Sequence, residues 1–340
     1  MKQKTSQQLR VPSIGSKKIA KNFFLLILFL SFIFVSFKLQ FALLQKIPVQ
    51  DANQTFIVKK GDSLYGILSN LEEKYNLSST WWIRFKYIFK DDPVIKAGRY
   101  NIFPNTSISE LIERFEEGDV QLFKLAIIEG TVAKNNLINL ESIIKDQKLN
   151  FEVPKSVKDI FSEEALIMPD TYFFSDQQDL IKVLSNSKLY LDEYLNNSWG
   201  EKSKDNPLQT PYEALILASI IEREAVLASE QEKIASVFLA RLKIDMKLQA
   251  DPTSSYGFYG DYGRKIGRAV LDDKNPFNTY QNKGLPPSPI CYPSKGAIEA
   301  AIKSSPGEFY YFVAKGDGSH IFSKTYEEHN KAVKKYIYSK

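Results

Sequence analysis

The sequence predicts an α+β protein in three parts: a single N-terminal transmembrane helix, a small α/β module, and a larger mixed α+β domain. Three observations carry this. Residues 22–37 read "NFFLLILFLSFIFVSF", with no charge. The stretch behind them alternates short β-branched runs with Gly, Asn and Pro turns and cappable helical segments. Residues 211–246 then hold two helical patterns in succession, the first apolar on every side and the second amphipathic. A chain of 340 residues suffices for two or three compact units. Its 44% hydrophobic and 25% charged content is that of a globular protein, not of a disordered or collagenous one. The one cysteine, Cys291, excludes an intrachain disulfide and leaves the redox compartment open.

The first element is the apolar run. After Lys38 it resumes as "LQFALL", ending at Leu44. A bilayer span needs about 20 residues, and a lysine near one end can snorkel to the interface. Six Lys or Arg residues precede the run, which puts the N-terminus in the cytoplasm. A cleaved signal peptide needs a shorter core and a small-residue cleavage site, and "KLQFALLQKIP" offers no good one. The reading is a cytoplasmic tail over 1–21, an anchor over 22–44, and the rest outside. The net charge of +5 does not indicate a nucleic-acid partner. Eight basic residues lie before position 47 and all 40 acidic ones after position 50, so the remainder balances 37 basic against 40 acidic residues, a net −3.

The small module is expected over 51–122. "FIVKK" reads as a strand, "GDS" as a turn, and "LYGILSNL" as a helix with Asp62 or Ser63 as its N-cap. "WWIRFKYIFK" suits stacking on sugar rings or, more commonly, packing inside its own module. "IKAGRYNIFPNTSISELIERFEEG" gives a strand, a turn and a helix opening at Ser107 or Ser109.

The third part is expected over 123–340. "FKLAIIEGTVAKNNL" reads as strand, polar turn and helix, and "SEEALIMPDTYFF" as a helix followed by a Pro169-Asp170 turn. Residues 178–199 form one helix, 211–228 the apolar helix, and 229–246 the amphipathic one, with Ser229 as N-cap and Glu232 three residues on. No internal repeat or low-complexity segment appears.

Metal chemistry is poorly supported: two histidines, one cysteine, no HExxH and no CxxC. Walker A and GxGxxG phosphate loops are absent, as is a GxSxG nucleophile elbow. Carboxylates in apolar surroundings remain, in "ASIIEREA" at 218–225. Glu222 and Glu224 lie about 200° apart on a helix turning roughly 100° per residue, so they cannot be a cooperating pair. One can enter a cleft with a raised pKa while the other meets an arginine. The spacing leaves open which is which.

"LASIIEREAVLASEQEKIASVFLARLKIDMKLQADPTSSYG" (217–257) resembles the signature of the MltG-type endolytic murein transglycosylases, the YceG-like family. "NTYQNKGLPPSPICYPSKGAIEAAI" (278–302) and "YYFVAKGDGSHIFSKTYEEHNKAV" (310–333) continue the resemblance, and "EGTV" and "MPDTYFF" match weaker elements. The strand, Gly-Asp-Ser turn and helix of the small module resemble the opening of a LysM module, a binder of N-acetylglucosamine glycans. Where many members have Asn-Pro-Gly, this chain has "CYPSKG", with Tyr292 and Ser294 flanking Pro293. Residues 258–277 match loosely, and no contacts are carried over to them.

The resemblance implies a membrane-anchored lytic transglycosylase that cuts peptidoglycan glycan strands internally, trimming or terminating nascent strands. It implies Glu222 as the catalytic residue, acid to the glycosidic oxygen between N-acetylmuramic acid and N-acetylglucosamine, then base on the muramoyl 6-hydroxyl, leaving a 1,6-anhydro end. An intramolecular nucleophile needs no second carboxylate to activate water. Substrate contacts are expected from Gln249, Asp251, Thr253, Tyr256, Asn278, Thr279, Tyr280 and His320. Glu224, Glu230 and Arg241 take supporting roles, the last two as an ion pair. No metal or cofactor is expected. Partners are the glycan strands, the bilayer through 22–44 and, by association with new strands, peptidoglycan synthases; the site of action is the outer side of the bacterial cytoplasmic membrane. Two alternatives stand: a glycan hydrolase with Asp251 activating water, and a non-catalytic wall-binding scaffold.

Overall fold

The computed structural model describes residues 14–50, 54–78, 80–88 and 93–338. Most of the cytoplasmic tail assigned above therefore lies outside the described residues. The chain divides into two units, Met1–Gln121 and Leu122–Lys340.

The first unit opens with α1 (Ile14–Leu44), whose stretch Lys18–Leu44 is long and apolar enough to cross a membrane by length and composition. Its end is built into the module rather than linked to it. Ala42, Ile47 and Val49 sit in the module's core, ahead of residue 51 where the module was expected to begin. Ile47 N–H donates to Thr106 O at 2.9 Å and Ile108 N–H to Gln45 O at 3.1 Å. Strand β1 (Gln54–Val58) buries Phe56 and Val58 by simple alternation. Both candidate caps of the next helix are used. Ser63 Oγ accepts from Gly66 N–H to open α2 (Leu64–Tyr75), while Asp62 closes the turn by accepting from Lys59 N–H. Helix α3 (Thr80–Ile88) and β2 (Gly98–Ile102) follow, β2 pairing antiparallel with β1 from Gln54↔Ile102 to Val58↔Gly98. Helix α4 (Ile108–Glu117) starts at Ser107 in a full capping box with Glu110 and stops at Gly118, whose φ of 75° needs a glycine.

The second unit begins with β3 (Phe123–Ala126), α5 (Ala133–Asp146) and α6 (Lys155–Ile160), then β4 (Thr171–Phe174), antiparallel to β3. The helix expected at "SEEALIM" does not form. Ala165 takes a left-handed φ of 55°, and Glu164 turns away to accept the Ala133 N–H at 2.7 Å, capping α5 from a distant part of the chain. Helix α7 (Gln177–Trp199) is capped by Asp176. Helix α8 (Pro211–Glu224) buries every residue from Ala214 to Ile221, so its apolar perimeter is explained by burial among α7 and three later helices: α9 (Gln231–Lys243), α10 (Asp251–Tyr259) and α12 (Lys295–Lys303). α8 ends four residues earlier than the pattern suggested: Ala225 is extended, and a 3₁₀ turn at Ala228–Glu230 leads into α9, leaving Ser229 without a capping role. Short α11 (Arg268–Asp272) lies in the loosely matching segment. The hairpin of β5 (Tyr311–Ala314) and β6 (His320–Ser323) turns through Gly316 and Gly318, and α13 (Tyr326–Tyr336) closes the unit.

Candidate active site

The two carboxylates of "ASIIEREA" go to different places. Glu222 Oε2 accepts the Ser294 backbone N–H at 3.0 Å and the Ser294 hydroxyl at 2.5 Å. Ser294 is the N-cap of α12, so Glu222 ties α8 to the start of that helix, where a carboxylate also complements the helix dipole. Arg223 leaves on a third direction: it donates to Gly130 O at 3.2 Å and lies over the Tyr262 ring at 3.9 Å. Gly130, with φ of 75°, belongs to the "EGTV" turn, where an added Cβ would meet Arg223 at 3.1 Å.

Glu224, the last helical residue of α8, lines a cleft of about 390 Å³ together with Arg241, Gln249, Asp251, Tyr280, His320 and His329. The residue is half-buried at the helix end, with protein packed around its carboxyl. That burial, first, and the charge of Asp251, second, push its pKa up to about 8, against the opposing pull of Arg241 and Arg223. Across the cleft, Tyr280 donates its hydroxyl to Asp251 Oδ1 at 2.7 Å. Burial and the Asp251 charge push the Tyr280 phenol up, so it stays a donor.

Arg241 does not pair with Glu230. They stand at opposite ends of α9, and a helix rises about 1.5 Å per residue, so their side chains have separate partners. Arg241 Nε donates to Tyr310 O at 2.7 Å and its guanidinium also holds Leu248 O, fixing β5 and the approach to α10. Glu230 instead accepts the His320 backbone N–H at 3.1 Å and meets His320 Nδ1 at 2.7 Å. Burial alone would raise the Glu230 carboxyl, but the bonds from His320 outweigh it and hold it low. His320 is thereby oriented at the cleft wall, edge-on to Phe312.

Of the substrate contacts expected from the sequence, Gln249, Asp251, Tyr280 and His320 line the cleft. Gln249 does so from a left-handed backbone, φ 50°, with its N–H held by Thr279 O. The others do not line it: Thr253, Asn278 and Thr279 support its walls from behind, and Tyr256 turns elsewhere. Thr253 and Thr279 are buried and share a hydroxyl–hydroxyl bond at 2.8 Å, while Thr279 Oγ1 accepts the Ala250 N–H at 2.9 Å. Asn278 is fully buried: it donates to the carbonyls of Val270, Leu271 and Asp273 and accepts from Ser254 and from Tyr280 N–H, which seats Tyr280. Tyr256 points to Glu164, donating at 3.1 Å, and stacks edge-on against Phe277. Glu164 is a second carboxyl raised by burial, to about 7, but it serves α5 and Tyr256 rather than the cleft.

The far wall is made of Tyr311, Phe312, Tyr326 and His329, none of them expected as a substrate contact from the sequence. His329 stacks on Tyr311 with centroids 5.4 Å apart, and burial followed by the nearby Arg241 lowers its pKa, leaving it neutral near pH 7. The available signal was the stretch "YYFVAKGDGSHIFSKTYEEHNKAV", which holds all four residues within one matching segment. No group of side chains suited to hold a metal is present among the described residues.

Comparison with known proteins agrees with this architecture. The YceG-like family profile matches residues 56–335. A Bacillus subtilis protein named endolytic murein transglycosylase is 29% identical over 324 residues, covering 86% of this chain and 88% of that protein. A Streptococcus pneumoniae protein of the same name is 26% identical over 347 residues; the match takes in 89% of this chain but 62% of the longer relative. The crystal structure of a YceG-like protein from Listeria monocytogenes superposes with a TM-score of 0.52 at 28% identity, over 82% of this chain and 98% of that one. This chain belongs to the YceG-like family.

Proposed function

We propose that this protein is a membrane-anchored lytic transglycosylase that cleaves peptidoglycan strands internally, with Glu224 rather than Glu222 as its acid and base. The observation that carries the reading is the place of Glu224 on a walled cleft, where burial and then the charge of Asp251 push its pKa up to about 8. An acid that still holds its proton near neutral pH can deliver it to the glycosidic oxygen as the bond to C1 of N-acetylmuramic acid breaks. The resulting carboxylate then takes the proton of the muramoyl 6-hydroxyl as that oxygen closes on C1. The product is a 1,6-anhydro end, and no water is consumed. Glu222 is less suited, because its Oε2 takes both bonds from Ser294 and the residue does not line the cleft. The negative charge of Asp251, held by Tyr280, favours the positive charge that develops at C1. The relatives named endolytic murein transglycosylase support the substrate and the bond cut.

The same reading takes α1 as a single-pass anchor with its basic N-terminal side in the cytoplasm. The antiparallel β1–β2 pair with two intervening helices suits a LysM-like, glycan-contacting module.

A hydrolase is the second reading, favoured by one observation: Asp251, a second carboxylate, lines the same cleft. Mass spectrometry of fragments released from purified peptidoglycan separates the two. Anhydro-muramic ends are expected. Reducing muramic ends would overturn the transglycosylase reading in favour of the hydrolase, and no release at all would leave only a binding role.

A further inference from the structure

Among the described residues, helix α3 carries a row of exposed apolar side chains, the first of them, Trp81, stacked on Trp82 with ring centroids 3.9 Å apart. Trp81, Phe85 and Ile88 are 53%, 38% and 69% exposed. At spacings of four and three they fall within about 60° of one another on a helix. The flank and the opposite side are spent: Thr80 and Ile83 are fully buried in the core, and Arg84, beside the row, is tied to Glu72 and Ser69 at 3.0 Å each while lying over Tyr65. A soluble surface rarely presents two large aromatic side chains and an isoleucine in one row without a use for them.

The neighbour of α3 indicates the use. Trp82, beside the stripe, packs edge-on against Phe34 of α1 with ring centroids 6.1 Å apart, and Lys38 lies over the same Phe34 ring. Phe34 is inside the Lys18–Leu44 stretch. A hydrocarbon core about 30 Å thick takes roughly 20 helical residues. Counted from Asn22, it ends near Phe41, about 10 Å beyond Phe34 along the axis. A tryptophan that reaches Phe34 therefore dips into the outer third of that core, about as deep as an interfacial helix buries its apolar face, beside the level where Trp and Tyr are enriched in membrane proteins. The join is stiff, because Ala42 and Ile47 belong to the module's own core and α1 also packs on α4.

We infer that α3 lies in the headgroup–acyl boundary of the bilayer that α1 enters, with Trp81, Phe85 and Ile88 as its inserted face. This rests on α1 being a membrane span. The insertion draws chiefly on the apolar row, since Arg84 is paired within the module and Lys86 lies over the Tyr87 ring. Its effect is to hold the β1–β2 module flat against the membrane and to limit how far from the bilayer it can sample.

The test uses the full chain reconstituted in vesicles of phosphatidylethanolamine and phosphatidylglycerol. Tryptophan occurs only at 81, 82 and 199, so Trp82→Phe with Trp199→Phe leaves Trp81 as the sole emitter. Trp81 is expected to lose most of its emission to lipids brominated high on the acyl chain, and less to lipids brominated near the chain end. An independent arm places an environment-sensitive dye at Ile88→Cys; the native Cys291 is fully buried and does not compete for the label. A blue shift in vesicles is expected there. Protein that floats with the vesicles yet shows neither quenching nor blue shift overturns the inference while leaving the anchor intact. Protein that fails to float overturns the anchor itself. A dye response that appears only at high protein-to-lipid ratio, or only on adding soluble glycan fragments, assigns the stripe to a second copy or to sugar and equally overturns it.

Discussion

Ser294 gives both its backbone N–H and its hydroxyl to Glu222, joining the buried helix α8 to the N-terminus of α12. The link is structural, so its loss should register in stability. Glu222→Ala and Ser294→Ala are each expected to cost roughly 1–2 kcal/mol, the usual range for a lost helix cap and its bond. In urea denaturation the double variant should lose less than the sum of the two, because they remove the same contact. Additive losses would show that the two side chains do not act together.

Asp251 is the charge that the cleft sets against Glu224, and removing it should appear in the pH profile. With Glu224 as the acid, cleavage falls on the alkaline side as its proton is lost near pH 8. Asp251→Asn removes a cause of that elevation, so the alkaline limb should move down by on the order of one pH unit. An unmoved or upward-moving limb would show that Asp251 does not act on the catalytic proton.

The raised carboxyl of Glu224 also sets a direction for stability. In the unfolded chain the group titrates at its ordinary 4.5, in the folded chain at about 8. Between those values unfolding releases a proton, so the stability tied to Glu224 is complete below about pH 4.5 and is lost as pH rises through 8. Glu224→Gln should therefore match the wild type near pH 4 and exceed it by roughly 1–3 kcal/mol at pH 8, less than the full shift implies because the residue is only half-buried. Thermal unfolding at the two pH values checks this, and a variant less stable than wild type at pH 8 would count against it.

Asn278 distinguishes a wall-building residue from a substrate contact. Its side chain is fully buried and saturated with bonds to the loop that seats Tyr280. Asn278→Ala is expected to lower stability by roughly 2–4 kcal/mol by leaving several buried groups unpaired. Binding of glycan fragments to the fraction that remains folded should weaken less than it does for Tyr280→Phe. The reverse order would make Asn278 a direct contact.

Much of the local structure was legible. The helix starts at Ser107 and Ser63, each one of two candidates in the sequence, and the Gln177–Trp199 helix, expected over 178–199, follow from side chains acting within a few residues of themselves. The opposed faces of Glu222 and Glu224 were legible for the same reason, since helical periodicity fixes them. Which face meets the cleft was not. The walls of that cleft come from Asp251, Tyr280, His320 and His329, and the partner of Glu222 comes from Ser294, all distant in sequence. The same limit hid the Glu230–His320 pair behind the nearer Arg241, and it hid Glu164, whose partners are Ala133 and Tyr256. Short-range pattern gives a side chain its direction; what waits there depends on the fold.

The proposal turns on one comparison: release of glycan fragments from purified peptidoglycan by Glu224→Gln and Glu222→Gln, each verified as folded by circular dichroism. Glu224→Gln should lose at least about a thousandfold in rate, the scale of removing an essential acid and base. Glu222→Gln, whose amide oxygen can still accept from Ser294, should stay within about tenfold of the wild type. A Glu222→Gln variant that is inactive beside an active Glu224→Gln variant would contradict the assignment outright and return the chemistry to the other face of α8.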